Sequence, residues 1–222
     1  MAEYMIVDDV RHLVPLGDLD PVANVSLTDA GLTPYHAIKT SAPKLGAGTT
    51  AVVIGTGGLG HVGIQILKAI TGATVIALDV NQQKLDLATE VGADRVFLSN
   101  ADSVAAVRAL TNGRGADAVF DFVGIQPTAD LAAQLVRIEG DIVVVGVANG
   151  AVPVGYLRLP FDVSARVVNW GSRSEMFEVI QLARSGAIEI ATEEFSMDQA
   201  ATAYDKLHAG EIRGRAVVVP GR

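Results

Sequence analysis

The sequence contains no cysteine. That excludes disulfides, thiolate zinc sites, iron–sulfur clusters and cysteine nucleophiles within these 222 residues. Aromatic residues are scarce, at 5% with a single tryptophan. No run of about 18 apolar residues offers a membrane span. Positive charge is outnumbered. Seventeen Lys and Arg against 25 Asp and Glu leave a formal net charge of −8, the wrong balance for a nucleic-acid footprint. The opening Met1-Ala2-Glu3-Tyr4 has neither the basic n-region nor the apolar h-region of a secretory signal, so a cytoplasmic location is expected. The remaining composition, half apolar and 19% charged, suits a globular chain that buries a core without staples.

Residues 1–48 have little regular rhythm. Tyr4–Val7 and His12–Leu16 read as short strand pieces. Pro21 to Thr40 has helical spacing, with Ser26 or Thr28 as N-cap, and Pro34 predicts a kink or a late start. Two strand scraps and a helix cannot close a core, so this segment needs a partner. The Pro/Gly/Ser-rich stretch Ser41–Thr49 marks a boundary. Beyond it, apolar strands are expected at Ala51–Ile54, Thr74–Leu78, Arg95–Leu98, Ala118–Phe122, Ile142–Val147 and Ala165–Trp170. Between and after them, helical patterns run over Gly60–Ile70, Gln82–Val91, Ser103–Leu110, Thr128–Val136 and Glu175–Ala183. Strands that are apolar throughout and alternate with helices predict a parallel sheet covered on both faces. The expected fold is α/β, a doubly wound six-stranded parallel sheet over residues 49–187. Residues 188–222 read as strand, helix over 198–208, and strand over Arg215–Val219.

The segment Gly55-Thr56-Gly57-Gly58-Leu59-Gly60 fits G-x-G-x-x-G. Alone it means little in a chain with 23 glycines, but it follows an expected strand and opens an expected helix. Gly55 permits the tight turn, Gly57 lets backbone approach a pyrophosphate, and Gly60 lets the helix pack close to the sheet. The helix N-terminus, with Gly58 and Leu59 in the turn before it, offers free N–H groups to phosphates. Asp79 ends the second strand about 20 residues on, where a carboxylate takes the ribose hydroxyls of NAD and repels the 2′-phosphate of NADP. A solvated helix cap is the plain alternative for Asp79. Lys84, one helical turn further on, is in reach of the ribose or is a solvated lysine. The later strand ends, Phe122-Val123, Val145-Gly146-Val147 and Trp170-Gly171, are expected to line the nicotinamide end, with core packing as the alternative for Phe122 and Val145.

The segments LTDAGLTPYHAI (27–38), VVIGTGGLGHVGIQ (52–65), LDVNQQKLDLATEVGAD (78–94), VFDFVG (119–124) and GEIRGRAVVVP (210–220) together resemble the medium-chain, zinc-dependent alcohol dehydrogenases, in particular bacterial secondary-alcohol dehydrogenases. The resemblance covers essentially the whole chain. It implies a Rossmann domain that binds NAD and a hydride transfer between an alcohol and its ketone. It also implies that Asp79 and Lys84 hold the ribose and that an arginine of the RGRAVVV segment, Arg215 before Arg213, meets the pyrophosphate. Asp29 resembles the family's third catalytic-zinc ligand. The family's Cys and His ligands, and the four cysteines of its structural zinc lobe, lie in an N-terminal part with no counterpart here. Zinc is therefore expected only if those ligands come from elsewhere, and the chain alone is expected to be inactive or very slow. Residues 1–48 and 188–222 then read as remnants of a barrel-like catalytic domain, with the surfaces that face its missing part exposed in 1–40 and 188–222. The resemblance further implies a homodimer through the sixth-strand edge near Val167–Trp170.

From residues alone, Asp29 near a helix start is usually a cap. His36, seven residues on, sits about 10 Å along the axis, too far to share one zinc ion with it. Tyr35 and Lys39 fit the Y-x-x-x-K pair of short-chain dehydrogenases, but they precede the glycine motif where that pair should follow it. His61 reads as packed or capping. Two other functions remain open: an NAD-binding module without catalysis, and a zinc-free quinone reductase. The second has no use for Asp29 and usually takes NADPH, which Asp79 disfavours.

Overall fold

The computed structural model describes residues 2–221. Met1 and Arg222, the outermost residues of the two expected end segments, lie outside the described residues. Six strands form one parallel sheet: β1 (Thr50–Ile54), β2 (Thr74–Asp79), β3 (Arg95–Leu98), β4 (Ala116–Asp121), β5 (Val136–Val144) and β6 (Ser164–Val167). Their order is β3-β2-β1-β4-β5-β6, the doubly wound arrangement expected from the alternation. All of β1 and β4 is buried, Asp117 and Asp121 of β4 included, as central strands of a sheet covered on both faces should be. The direction of winding reverses between β1 and β4, so a crevice opens beyond their carboxyl ends.

Helices cover both faces: α3 (Gly60–Ile70), α4 (Gln82–Glu90), α5 (Ala101–Leu110), α6 (Gln126–Leu135) and α7 (Arg173–Arg184). The starts of α4, α5 and α7 are set by short polar side chains that accept orphan N–H groups. Asn81 caps α4, Asn100 caps α5, and Ser172 with Glu175 forms a capping box on α7. The turn after β2 is thus capped by Asn81, which leaves Asp79 free of that duty.

The N-terminal segment differs from expectation. Among the described residues, Tyr4–Val7 and His12–Leu16 form no strand; the only regular element there is a 3₁₀ turn at Val10–His12, capped by Asp9. Charged Asp8-Asp9 and Gly17 break both runs, and among the described residues no strand pairs with them. The helical stretch is split into α1 (Pro21–Asn24), a 3₁₀ turn at Val25–Thr28, and α2 (Leu32–Ser41). Neither Ser26 nor Thr28 caps it; Asp20 caps α1, with Pro21 at N1. Pro34 sits in the first turn of α2, where its missing N–H costs nothing, so the helix starts late instead of kinking.

Leu27, Ala30, Tyr35, Ile38 and Leu45 are buried in the same cluster as Val62, Ile66, Val179 and Ile180. This half of the segment is core, whereas Tyr4, Met5, Ile6, Val10 and Leu13 before it are exposed. Residues 192–219 form β7 (Thr192–Ser196), α8 (Ala200–Ala209) and β8 (Arg215–Val219), with β7 and β8 paired in parallel. The strand expected from Ile188 begins only at Thr192, because Ile188 and Ile190 are buried against the main core.

Two strand ends also move. β5 begins directly after α6 and ends at Val144, so Val145, Gly146 and Val147 lie beyond it. β6 ends at Val167, and Trp170 stands outside it with φ of +51°. No helix among the described residues is long and apolar enough to cross a membrane.

Candidate functional site

The glycine turn joins β1 to α3 as its spacing requires. Gly55 has φ of +84°, and a Cβ on Gly60 would lie 1.9 Å from the Gly55 carbonyl oxygen. Both positions need glycine for the chain's own geometry. Gly57 is different. Its φ is not in the left-handed region, and no atom lies within 4 Å of where its Cβ would be. The space in front of it opens into the crevice.

That crevice, about 560 Å³, brings together Gly55, Gly57, Gly58, Leu59, Gly60, Asp79, Lys84, Phe122, Val123 and Arg215. These come from the ends of β1, β2 and β4, from α4, and from β8. Each was singled out in the sequence. Val145, Gly146, Val147, Trp170 and Gly171 were also singled out, and none of them lines it. Gly146 is instead packed against the turn after β4, where a Cβ would meet Val123 carbonyl carbon at 2.1 Å. Val147 and Trp170 are largely exposed. Gly171 packs on Leu32 at the start of α2.

Asp79 is 6% exposed. Its Oδ2 accepts the Thr56 N–H at 2.8 Å and the Thr56 hydroxyl at 3.3 Å, and its Oδ1 accepts the Asn81 N–H at 3.0 Å. The carboxylate is thereby fixed to the glycine turn. Of the five lysines in the chain, four are ion-paired and Lys84 alone has no charged partner among the described residues.

Arg215 Nη2 donates to Asp29 Oδ2 at 2.9 Å. The arginine side chain lies on the glycine turn, since a Cβ on Gly58 would come within 2.8 Å of its Cδ. Arg213 is drawn away to Glu90. Asp29 therefore faces a guanidinium. Among the described residues no three His, Asp or Glu side chains are grouped to hold a metal ion. His36 is turned to Glu175, its Nδ1 3.1 Å from both carboxylate oxygens.

His61, fully buried, links the turn to the C-terminal return. Its Nε2 accepts the Ala191 N–H at 3.2 Å, so its Nδ1 carries the proton and donates to the Gly57 carbonyl at 2.8 Å. Burial holds this imidazole below its usual pKa, with Arg215 and Arg213 adding to the effect. Tyr35 and Lys39 both bind Glu178 on α7. Burial and the Glu178 contact push the Tyr35 phenol above its ordinary pKa, so it is a poor proton donor and a good structural one.

Sequence reasoning missed Val80, Leu207, Gly214 and Ala216, which also line the crevice. Gly214 and Ala216 flank Arg215 and were within reach of that signal. Leu207, on α8, carried none. A larger hollow of about 650 Å³ lies between α3 and α4, away from the glycine turn. Its polar side chains are already engaged: Gln65 with Glu189, Lys68 with Asp94, and Arg213 with Glu90.

The NAD-dependent alcohol dehydrogenase of Sulfolobus acidocaldarius is 35% identical over 98% of this chain and 63% of its own length. The D-arabinose 1-dehydrogenase (NADP(+)) of Saccharolobus solfataricus is 33% identical over 99% of this chain and 64% of its own length. The crystal structure of the alcohol dehydrogenase from Aeropyrum pernix superposes with a TM-score of 0.85 at 36% identity, covering 91% of this chain and 60% of that one. The chain thus spans a little under two thirds of the relatives it matches. Residues 58–185 match the family of zinc-binding dehydrogenases. By that match and these identities, the chain belongs to the zinc-binding dehydrogenase family.

Proposed function

We propose that this chain binds NAD in the crevice at the switch point, as the nucleotide-binding portion of an oxidoreductase that moves hydride between a secondary alcohol and its ketone. The observation that carries the reading is Asp79, a buried carboxylate at the end of β2 that is tied to the glycine turn and lines the crevice. A carboxylate has about four lone-pair positions, and the chain's own donors to Asp79 leave about one of them for a ribose hydroxyl. A 2′-phosphate brought to the same group meets like charge. Lys84 supplies an uncommitted cation beside it. The turn N–H groups and the start of α3 suit the pyrophosphate, with Arg215 above them. Phe122 and Val123 make an apolar wall that keeps water from the reacting end of the nucleotide. Bound NAD supplies the hydride acceptor.

Zinc does not fit the residues present. Asp29 is paired with Arg215 and has no companion ligands among the described residues. A second reading is an NAD-binding module without catalysis of its own, in which Asp29 serves Arg215. A complete alcohol dehydrogenase would need two further ligands from outside this chain.

Residues 49–187 form the nucleotide domain in this reading, with 1–48 and 188–222 as parts of a catalytic domain. A cytoplasmic homodimer through the open edge of β6 belongs to the same proposal. In its support, Val167 on that edge is 80% exposed.

Fluorescence titration with NADH and NADPH tests the cofactor reading. Asp79→Ser should weaken NADH by about ten- to a hundredfold, the loss of hydrogen bonds to a charged group. NADPH binding should hold or improve. Equal losses for both nucleotides refute the ribose role.

A further inference from the structure

We infer that Asp29 is a positioning residue for Arg215: it fixes the guanidinium over the glycine turn, where the phosphates of a nucleotide bind. The inference rests on the nucleotide reading and adds a residue to it. The two side chains are 186 positions apart in sequence and come from the two end segments. Each is held by its own backbone. The Asp29 N–H donates to the Ser26 carbonyl at 3.1 Å, and its carbonyl accepts the Thr33 N–H at 3.0 Å. Its second carboxylate oxygen lies 3.4 Å from the Thr33 hydroxyl. The Arg215 N–H donates to the Ala191 carbonyl at 2.8 Å. A long, flexible side chain is thus caught between a fixed carboxylate at Nη2 and the Gly58 backbone, near which its Nη1 lies.

Arginine has five N–H donors, and the Asp29 contact uses one. The others remain for an anion. The charge of Asp29 opposes that anion, but its side chain is 41% exposed, so water screens the repulsion. Orientation is the larger effect. A carboxylate already facing a guanidinium is also a poor zinc ligand, because the arginine repels the metal ion and occupies the lone pair.

The test is competition of ADP-ribose and of adenosine against NADH, with circular dichroism to check each fold. Asp29→Ala should weaken ADP-ribose by about two- to fivefold, the scale of a part-exposed ion pair, and leave adenosine unchanged. Asp29→Asn, which still accepts from Nη2, should stay near the parent protein. In an Arg215→Ala background, Asp29→Ala should have no further effect. If Asp29→Ala does not fold, Asp29→Ser takes its place, too short for the guanidinium but able to keep Thr33.

Unchanged or tighter ADP-ribose binding in Asp29→Ala overturns the inference. So do an equal loss for adenosine, an additive loss with Arg215→Ala, or stoichiometric zinc that disappears in Asp29→Asn. Failure of the parent protein to bind ADP-ribose removes the nucleotide reading and this inference with it. Binding that ignores Asp29 removes this inference alone.

Discussion

Gly57→Val separates what the fold needs from what a ligand needs. The Gly57 backbone is outside the left-handed region and no atom beyond its chain neighbours lies within 4 Å of its Cβ position, so a Cβ there meets no steric or backbone penalty. Removing a glycine also narrows the unfolded ensemble, which favours folding by about 0.4–1 kcal/mol where the backbone is compatible. For a chain of this length 1 kcal/mol moves Tm by about 2–4 °C, so Tm should stay within a few degrees of the parent. Binding should not survive. Valine fills the space where the phosphates approach the turn, and displacing them forfeits about two charge-assisted N–H contacts. At about 1.5–3 kcal/mol each that is a loss of about 3–6 kcal/mol. The expected weakening is roughly a hundred- to ten-thousandfold. Tm by circular dichroism and NADH affinity by calorimetry give the two readings on one sample. Unchanged affinity would mean the phosphates lie elsewhere. A fall in Tm of ten degrees or more would mean that Gly57 is structural after all.

Gly60→Ala should behave in the opposite way. Its Cβ would sit 1.9 Å from the Gly55 carbonyl oxygen, so the turn or α3 must shift, at a cost of about 1–3 kcal/mol or more. A Tm equal to the parent's would refute the close helix–sheet approach. His61 predicts an acid dependence. Its folded pKa is depressed by burial, so its contribution is present above the unfolded value of about 6.5 and is lost as pH falls through the depressed folded value. Urea midpoints at pH 7.5 and pH 5 should show this slope in the parent and a smaller one in His61→Gln. Identical slopes would mean that His61 titrates normally.

The part of the fold that repeats was legible in the sequence. Apolar strands such as Ala51–Ile54 and helical faces such as Gly60–Ile70 each satisfy one local period, and the period alone dictates a covered parallel sheet. The segment before Ser41 was not legible in that way. Leu27, Tyr35 and Ile38 look like a stray helix face until α3 and α7 are present to bury them.

The site divides along the same line. Gly55, Gly57, Gly60 and Asp79 are set by one strand–turn–helix unit and the next strand, so their spacing carries their geometry. The sequence by itself therefore determined the sheet, the glycine turn and the carboxylate that faces it. Contacts that cross the chain were decided only in three dimensions: Arg215 on Asp29, His61 between Gly57 and Ala191, Leu207 at the crevice wall, and Trp170 turned out of it. The reason is physical. A local motif fixes its own backbone, whereas the partner of a long side chain depends on which distant segments the packed core brings within a few ångströms of it.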